Sequence, residues 1–146
     1  MSSAPPLHQE IRDEWVDYNG HLSEAYYALI FGFATDQLIE HIGMDAEYRT
    51  GTGCSLYTVE LHIRYLREVR RQSAVRVDTR VVGSGGKKAH LCHEMSAGGE
   101  LVATEEVMAL HVDQSAGRAS PFPQEIADRL AALREPAPDY AGRSIG

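Results

Sequence analysis

Two cysteines in 146 residues, Cys54 and Cys92, are too few for a disulfide scaffold. The fold must therefore rest on an apolar core, and both thiols read as small buried or half-buried side chains. No apolar run approaches the roughly 20 residues that would span a bilayer, so membrane insertion is excluded. Basic residues are also scarce, with 14 Lys and Arg against 21 Asp and Glu and a net charge of −7. That balance works against a nucleic-acid partner, whose binding draws on basic surface, but it leaves a phosphorylated ligand open. The stretch from Met1 to Leu7 has neither the basic start nor the apolar core of a secretory signal, and the expected location is cytoplasmic.

Three chemical signatures are missing as well. The glycines at 83–86 precede Lys87, but Val81 and Lys88 stand where a phosphate-cradling loop needs a glycine and a Ser or Thr. A metal site at His90, Cys92 and His93 fails because on a strand His93 points away from the other two, and no metal or other cofactor is expected. There is no G-x-S-x-G elbow, so a serine hydrolase is not indicated.

What remains is a soluble composition, 43% hydrophobic and 24% charged, in a chain sized for one domain. The domain is expected over 10–134, with a flexible tail at 1–9 and a C-terminal tail at 135–146. Glu10 to Val16 reads as a short first strand. Ser23 is a candidate N-cap and Gly43 a candidate left-handed terminator, which predicts one long helix between them. Its first half, Ala25 to Ala34, is apolar nearly all round apart from Gly32 and requires a curling sheet or a second subunit to enclose it.

Leu56 to Val69 alternates Val59, Leu61, Ile63 and Tyr65 with Thr58, Glu60, His62 and Arg64, which predicts a long strand with one apolar and one polar face. Strands follow at Ala74–Val82, Ala89–Met95 and Leu101–Val112, separated by glycine-rich turns. Pro121-Phe122-Pro123 opens a last helix, Gln124–Arg134, striped by Ile126, Leu130 and Leu133. A short strand, one long helix and four turn-linked strands predict an α+β fold in which an antiparallel sheet wraps the helix.

The stretch Trp15-Val16-Asp17-Tyr18-Asn19-Gly20-His21 delivers a carboxylate, an amide and an imidazole to the start of that helix. A capping loop would use the same turn residues, so catalysis and scaffolding both stand open on the residues alone. The order of elements and the motif together resemble the hotdog-fold acyl-CoA thioesterases, related to 4-hydroxybenzoyl-CoA thioesterase. The family's Asp-x-Asn-x-His, a small polar pair and a Tyr are matched by Asp17, Asn19, His21, Ser23-Glu24 and Tyr26, although the pair is more often Asn-Asn. Ile63 to Arg67, Leu101 to Glu105 and His111 to Asp113 are similar too. The run Trp15 to Tyr27, with Tyr57 to His62, is closer to the branch that hydrolyses betainyl-CoA to glycine betaine and CoA in carnitine degradation. The hotdog hydratases carry an extra residue, Asp-x-Asn-Pro-x-His, which the spacing here lacks.

The resemblance implies a thioester hydrolase with Asp17 as nucleophile or general base. Asn19, Gly20 and His21 complete the catalytic loop, and helix N-terminal amides form the oxyanion hole. A quaternary ammonium has no N–H to donate, so aromatic and acidic side chains are the candidates to hold it: Trp15, Tyr18, Tyr26, Tyr57 and Glu60, with His62 beside them. Of the adjacent Tyr26 and Tyr27, at least one must fill the core. Arg64, Arg67, Lys87 and Lys88 are the candidates for the CoA phosphates. A homodimer or dimer of dimers with the site between subunits is expected. A thioesterase for another short or aromatic acyl-CoA, or a non-catalytic acyl-CoA-binding module, are the competing readings.

Overall fold

The computed structural model describes residues 3–146. Six strands form one antiparallel sheet, and α1 (Glu24–His41) lies across its concave face. The strands are β1 (Leu7–Glu10), β2 (Cys54–Tyr65), β3 (Ala74–Gly85), β4 (Lys88–Ala97), β5 (Glu100–Asp113) and β6 (Arg118–Ala119). Their order is β1-β3-β4-β5-β2, with β6 paired to β5, so β2 is an edge strand. Two further helices, α2 (Ala46–Thr52) and α3 (Gln124–Ala132), complete the chain. This is the sheet wrapped on one helix that the element order predicted, and the hotdog architecture that the resemblance implied. No described helix is long and apolar enough to cross a membrane.

The long helix forms where its signals placed it. Gly43, at φ +95°, adopts a left-handed conformation just past the last turn and donates its amide to Glu40 O at 3.1 Å. Tyr27, Ile30, Phe31, Ala34, Thr35, Leu38 and Ile39 are buried, the i, i+3, i+4 stripe that faces the sheet. The core divides along the helix. One part joins Ile30 and Phe31 to Val69, Val75, Val77 and Met95, and the other joins Leu38 and Ile42 to Leu91, Val107 and α3. The stripe predicted for α3 is the buried one, with Ile126, Leu130 and Leu133 packed in that second part. Enclosure of the first half of α1 is incomplete within one chain, because Ala25, Leu29 and Gly32 stay exposed.

Four expectations are corrected. The first strand is Leu7–Glu10, not Glu10–Val16, and it pairs Leu7 with Val77 through Glu10 with Ala74, so the segment 1–9 is not wholly a loose tail. Asp13–Trp15 is instead a 3-10 turn, which swings the chain from the sheet edge towards α1. The long strand runs Cys54–Tyr65, ending early because the amides of both Leu66 and Arg67 turn to Val102 O. Residues 135–146 lie along the outer sheet face: Glu135 N donates to Val81 O at 2.9 Å, Tyr140 to Glu94 at 3.0 Å and Gly142 N to Glu106 at 2.8 Å. Helix α2 was not anticipated, although Asp45 caps it by accepting from Tyr48 N at 2.9 Å.

Candidate active site

The loop before α1 is a tight turn that aims one carboxylate. Gly20 N donates to Asp17 O at 3.0 Å and Asp17 N to His21 O at 2.9 Å, which closes the turn. Gly20 sits at φ +80°, a conformation that side chains rarely adopt. The Asp17 carboxylate accepts from Asn19 N at 2.8 Å and His21 N at 3.4 Å, both on Oδ1. Those contacts fix its orientation and leave Oδ2 for a ligand.

Ser23 occupies the N-cap position, but its hydroxyl caps no backbone N–H. The first helical amides, those of Glu24 and Ala25, therefore have no intrahelical acceptor and stay available, with the positive end of the helix dipole behind them. Asp17, Asn19, His21, Leu22, Glu24, Tyr27, Tyr65, Leu66, Arg67 and Glu68 line an open cleft of 410 Å³. His21 is anchored across the cleft by Glu68, with Nε2 3.1 Å from the carboxylate. Tyr65 donates to Glu24 O at 3.1 Å and meets the Tyr27 ring edge to face at 5.0 Å. Burial raises the phenol pKa of both Tyr27 and Tyr65.

Of the residues expected to act, Asp17, Asn19, His21 and Arg67 share this cleft. Arg67 also pairs with Glu100 at 3.3 Å, both side chains exposed. Gly20 closes the turn beside them, and the others lie elsewhere in the chain. Trp15 is buried, stacked on Tyr26 at 5.9 Å and tilted against Phe33, with the Arg12 guanidinium 5.6 Å over its ring. Its ring is thus already occupied, and neither it nor Tyr26 lines the cleft; Tyr27, not Tyr26, is the more deeply buried of the pair. Tyr18 projects into solvent, 97% exposed. Glu60, His62 and Arg64 line a second groove of 720 Å³ on β2, walled by Arg143 to Gly146 of the C-terminal segment. Tyr57 accepts from Gln114 at 3.0 Å at the other end of β2, and Lys88 lies level with it, across β5 from Tyr57. Lys87 precedes Lys88 in the β3–β4 turn.

The histidines of β4 divide as strand alternation requires. His93 faces α1, with Nε2 2.8 Å from Thr35 Oγ1 and Nδ1 2.8 Å from Thr79 Oγ1, whereas His90 faces out and pairs with Glu106 at 2.6 Å. Burial pushes the His93 imidazole down to about 4. Three residues of note escaped sequence reasoning. Glu68 fell within the strand predicted over Leu56–Val69 and was not singled out; it sits in the loop after β2. Tyr65 was read only as an apolar strand position. Glu105 is a buried acid on β5, only 2% exposed, and burial pushes it up to about 8. Alternation with Ala103, Val107 and Ala109 could have revealed Glu105, since it places a carboxyl on the apolar face.

Comparison with known proteins shows the family and the fold. The sequence model of the Thioesterase-like superfamily matches residues 11–130. A betainyl-CoA thioesterase of Pseudomonas aeruginosa is 42% identical over 140 residues, covering 91% of this chain and 88% of that protein. An L-carnitine dehydrogenase/betainyl-CoA thioesterase of Agrobacterium fabrum is 46% identical over 95% of this chain, which spans 30% of that longer protein. Among solved structures, a Staphylococcus aureus protein in complex with CoA superposes with a TM-score of 0.90 at 24% identity, over 97% of this chain and 93% of that one.

Proposed function

We propose, for a chain that belongs to the thioesterase-like superfamily and is a thioester hydrolase acting on acyl-CoA, that the acyl group is betainyl and the products are glycine betaine and CoA. Relatives carrying that activity in their names, at 42% and 46% identity, support the substrate. The observation that carries the mechanism is the pairing of an oriented Asp17 carboxylate with an uncapped helix start across one cleft.

In this reading the thioester carbonyl oxygen points at the free amides of Glu24 and Ala25. Charge developing there is stabilised as the carbonyl carbon becomes tetrahedral, an effect worth about 3 kcal/mol for a single donor. Asp17 Oδ2 takes the proton of the attacking water, or attacks directly to give an anhydride that water then opens. The C–S bond breaks and CoA leaves as the thiol. Asn19 and His21 act through their backbone amides, which hold Asp17, and the His21–Glu68 pair steadies the loop. In the same reading Arg67, which lines the cleft, and Arg64, which lines the adjoining groove, meet the CoA phosphates.

The active unit is a homodimer formed through β2. Tyr57, Val59, Leu61, Tyr65 and Leu66 on that edge and Leu29 on α1 are exposed large apolar side chains, and an unpaired edge of this kind is completed by a second copy.

Free-thiol release from betainyl-, acetyl-, benzoyl- and longer-chain CoA esters tests the substrate. Betainyl-CoA should show the highest kcat/KM of the panel. Equal turnover of betainyl- and acetyl-CoA would sink the betainyl assignment, and a benzoyl preference would replace it with an aromatic one.

A further inference from the structure

The cationic head of a betainyl group needs a counter-charge, and the one acid expected to supply it from sequence is poorly placed. Glu60 lies on the groove face of β2, away from Asp17. A different carboxyl lies behind the cleft. Glu105 projects from β5 towards α1, opposite Ile63 of β2 and His93 of β4, because directly paired residues of an antiparallel ladder share a face. Tyr65, two residues beyond Ile63, lies on that same face and close enough for the Glu105 charge to raise its phenol pKa. Tyr65 and Tyr27 line the cleft with Asp17, so Glu105 adjoins the cleft through Tyr65.

Three features distinguish Glu105 from a structural acid. The residue is buried yet has no hydrogen-bond or ion-pair partner among the described residues, and burial raises its proton affinity. The neighbouring base cannot serve it, because both ring nitrogens of His93 are committed to Thr35 and Thr79. The carboxyl oxygens are not sealed, since no fully enclosed side-chain oxygen or nitrogen among the described residues lacks a partner. An unpartnered acid that still touches accessible space, beside the Tyr65 ring on which Tyr27 packs edge to face, is a poor stabiliser and a suitable receptor for a cation brought by a ligand.

We propose that Glu105 recognises the quaternary ammonium of the acyl group, with Tyr27 and Tyr65 as its aromatic walls. The inference rests on the betainyl reading above and names the residue that would make this site specific for it. Glu105 holds its proton in the free protein and loses it as the cation arrives, so the pair forms only when substrate is bound. The other titratable groups around it are Tyr65 of β2, His93 of β4, and Tyr27 and Glu24 of α1. None of them carries a positive charge at neutral pH, since His93 is held neutral.

The test compares betainyl-CoA with 3,3-dimethylbutanoyl-CoA, in which carbon replaces the quaternary nitrogen and only the charge is lost. The wild type should favour betainyl-CoA in kcat/KM by about 30-fold, the scale of a desolvated cation held by π faces and an acid. In Glu105→Gln the preference should collapse towards one, mainly through KM for betainyl-CoA, while Glu105→Asp should retain part of it. A Gln variant that keeps the wild-type preference overturns the role of Glu105 and leaves the betainyl reading standing. Loss of both esters in equal proportion in the Gln and Asp variants makes the residue structural and also overturns it. A wild type with no preference between the two esters overturns the betainyl reading itself.

Discussion

Replacing Glu105 by Gln should change how stability depends on pH, in a direction and window that two buried groups define. Burial pushes the Glu105 carboxyl from its ordinary 4.5 up to about 8. Between those values the folded chain keeps a proton that the unfolded chain has released, so stability falls as pH rises, by about 1.4 kcal/mol per pH unit. His93 acts in the opposite sense. Its imidazole is pushed from 6.5 down to about 4, so over that window the unfolded chain binds a proton that the folded chain refuses, and stability rises with pH. From pH 4.5 to 6.5 the two slopes cancel, whereas from 6.5 to 8 only Glu105 acts and about 2 kcal/mol is lost.

Gln has the shape of the protonated acid and does not titrate. The variant should therefore lose the decline above pH 6.5 and uncover the rise from His93 at lower pH, about 3 kcal/mol between 4 and 6.5. Urea denaturation at half-unit pH steps and fixed ionic strength reads both curves, with an unchanged m-value as the control for two-state unfolding. A wild type equally stable at pH 6.5 and 8, or a Gln variant that keeps the decline, refutes the assignment of a neutral buried acid at this position.

Asp17→Asn should lower thiol release on the order of 10²- to 10⁴-fold while CoA-ester binding measured by calorimetry persists; a binding module would show no turnover in either form. Gly20→Ala should cost about 1–2 kcal/mol for its left-handed backbone alone, since the added methyl meets nothing within 4 Å. Gly43→Ala should cost more, because its methyl would also collide with the Arg129 guanidinium, which donates to Ile42 O at 3.0 Å; thermal melts of the two variants rank them. At pH 7, binding of glycine betaine should release close to one proton, read by calorimetry in buffers of different ionisation enthalpy, and release should vanish in Glu105→Gln. Leu61→Arg, on the exposed β2 edge, should give a monomer by sedimentation and lose most activity; an active monomer would end the dimer reading.

The fold was legible because its signals were local and agreed with one another. Alternation on β2 to β5, the cap residues at the two ends of α1 and the Ile126, Leu130 and Leu133 stripe of α3 each fix one element, and together they leave few ways to assemble a sheet around a helix. The errors fall where a short segment takes its structure from a distant partner. Leu7–Glu10 has no pattern of its own and becomes a strand only because β3 offers a free edge. The C-terminal segment is ordered by Val81, Glu94 and Glu106, remote in sequence from the residues they hold. The same rule divides the site. The Asp17 loop was readable because Asp17, Asn19, Gly20 and His21 make their contacts with one another. Trp15 looked available because nothing in the sequence shows that Tyr26, Phe33 and Arg12 converge on it.

Register along β2 bears on how a complete site would be built. Tyr57 and Tyr65 are eight residues apart on one strand, roughly 26 Å at about 3.3 Å per residue. Lys88 is level with Tyr57, and the Asp17 cleft adjoins Tyr65, so within one chain the lysines of the β3–β4 turn lie towards the far end of the strand from Asp17. An isologous pairing of two β2 edges is antiparallel and inverts the strand about its centre. Centred near Leu61, it would set the Tyr57 end of one copy beside the Tyr65 end of the other, and the basic turn of one copy towards the cleft of the other. Such a pairing would also cover the exposed run from Tyr57 to Leu61 and the bare stripe on α1, and the Leu61→Arg variant tests it.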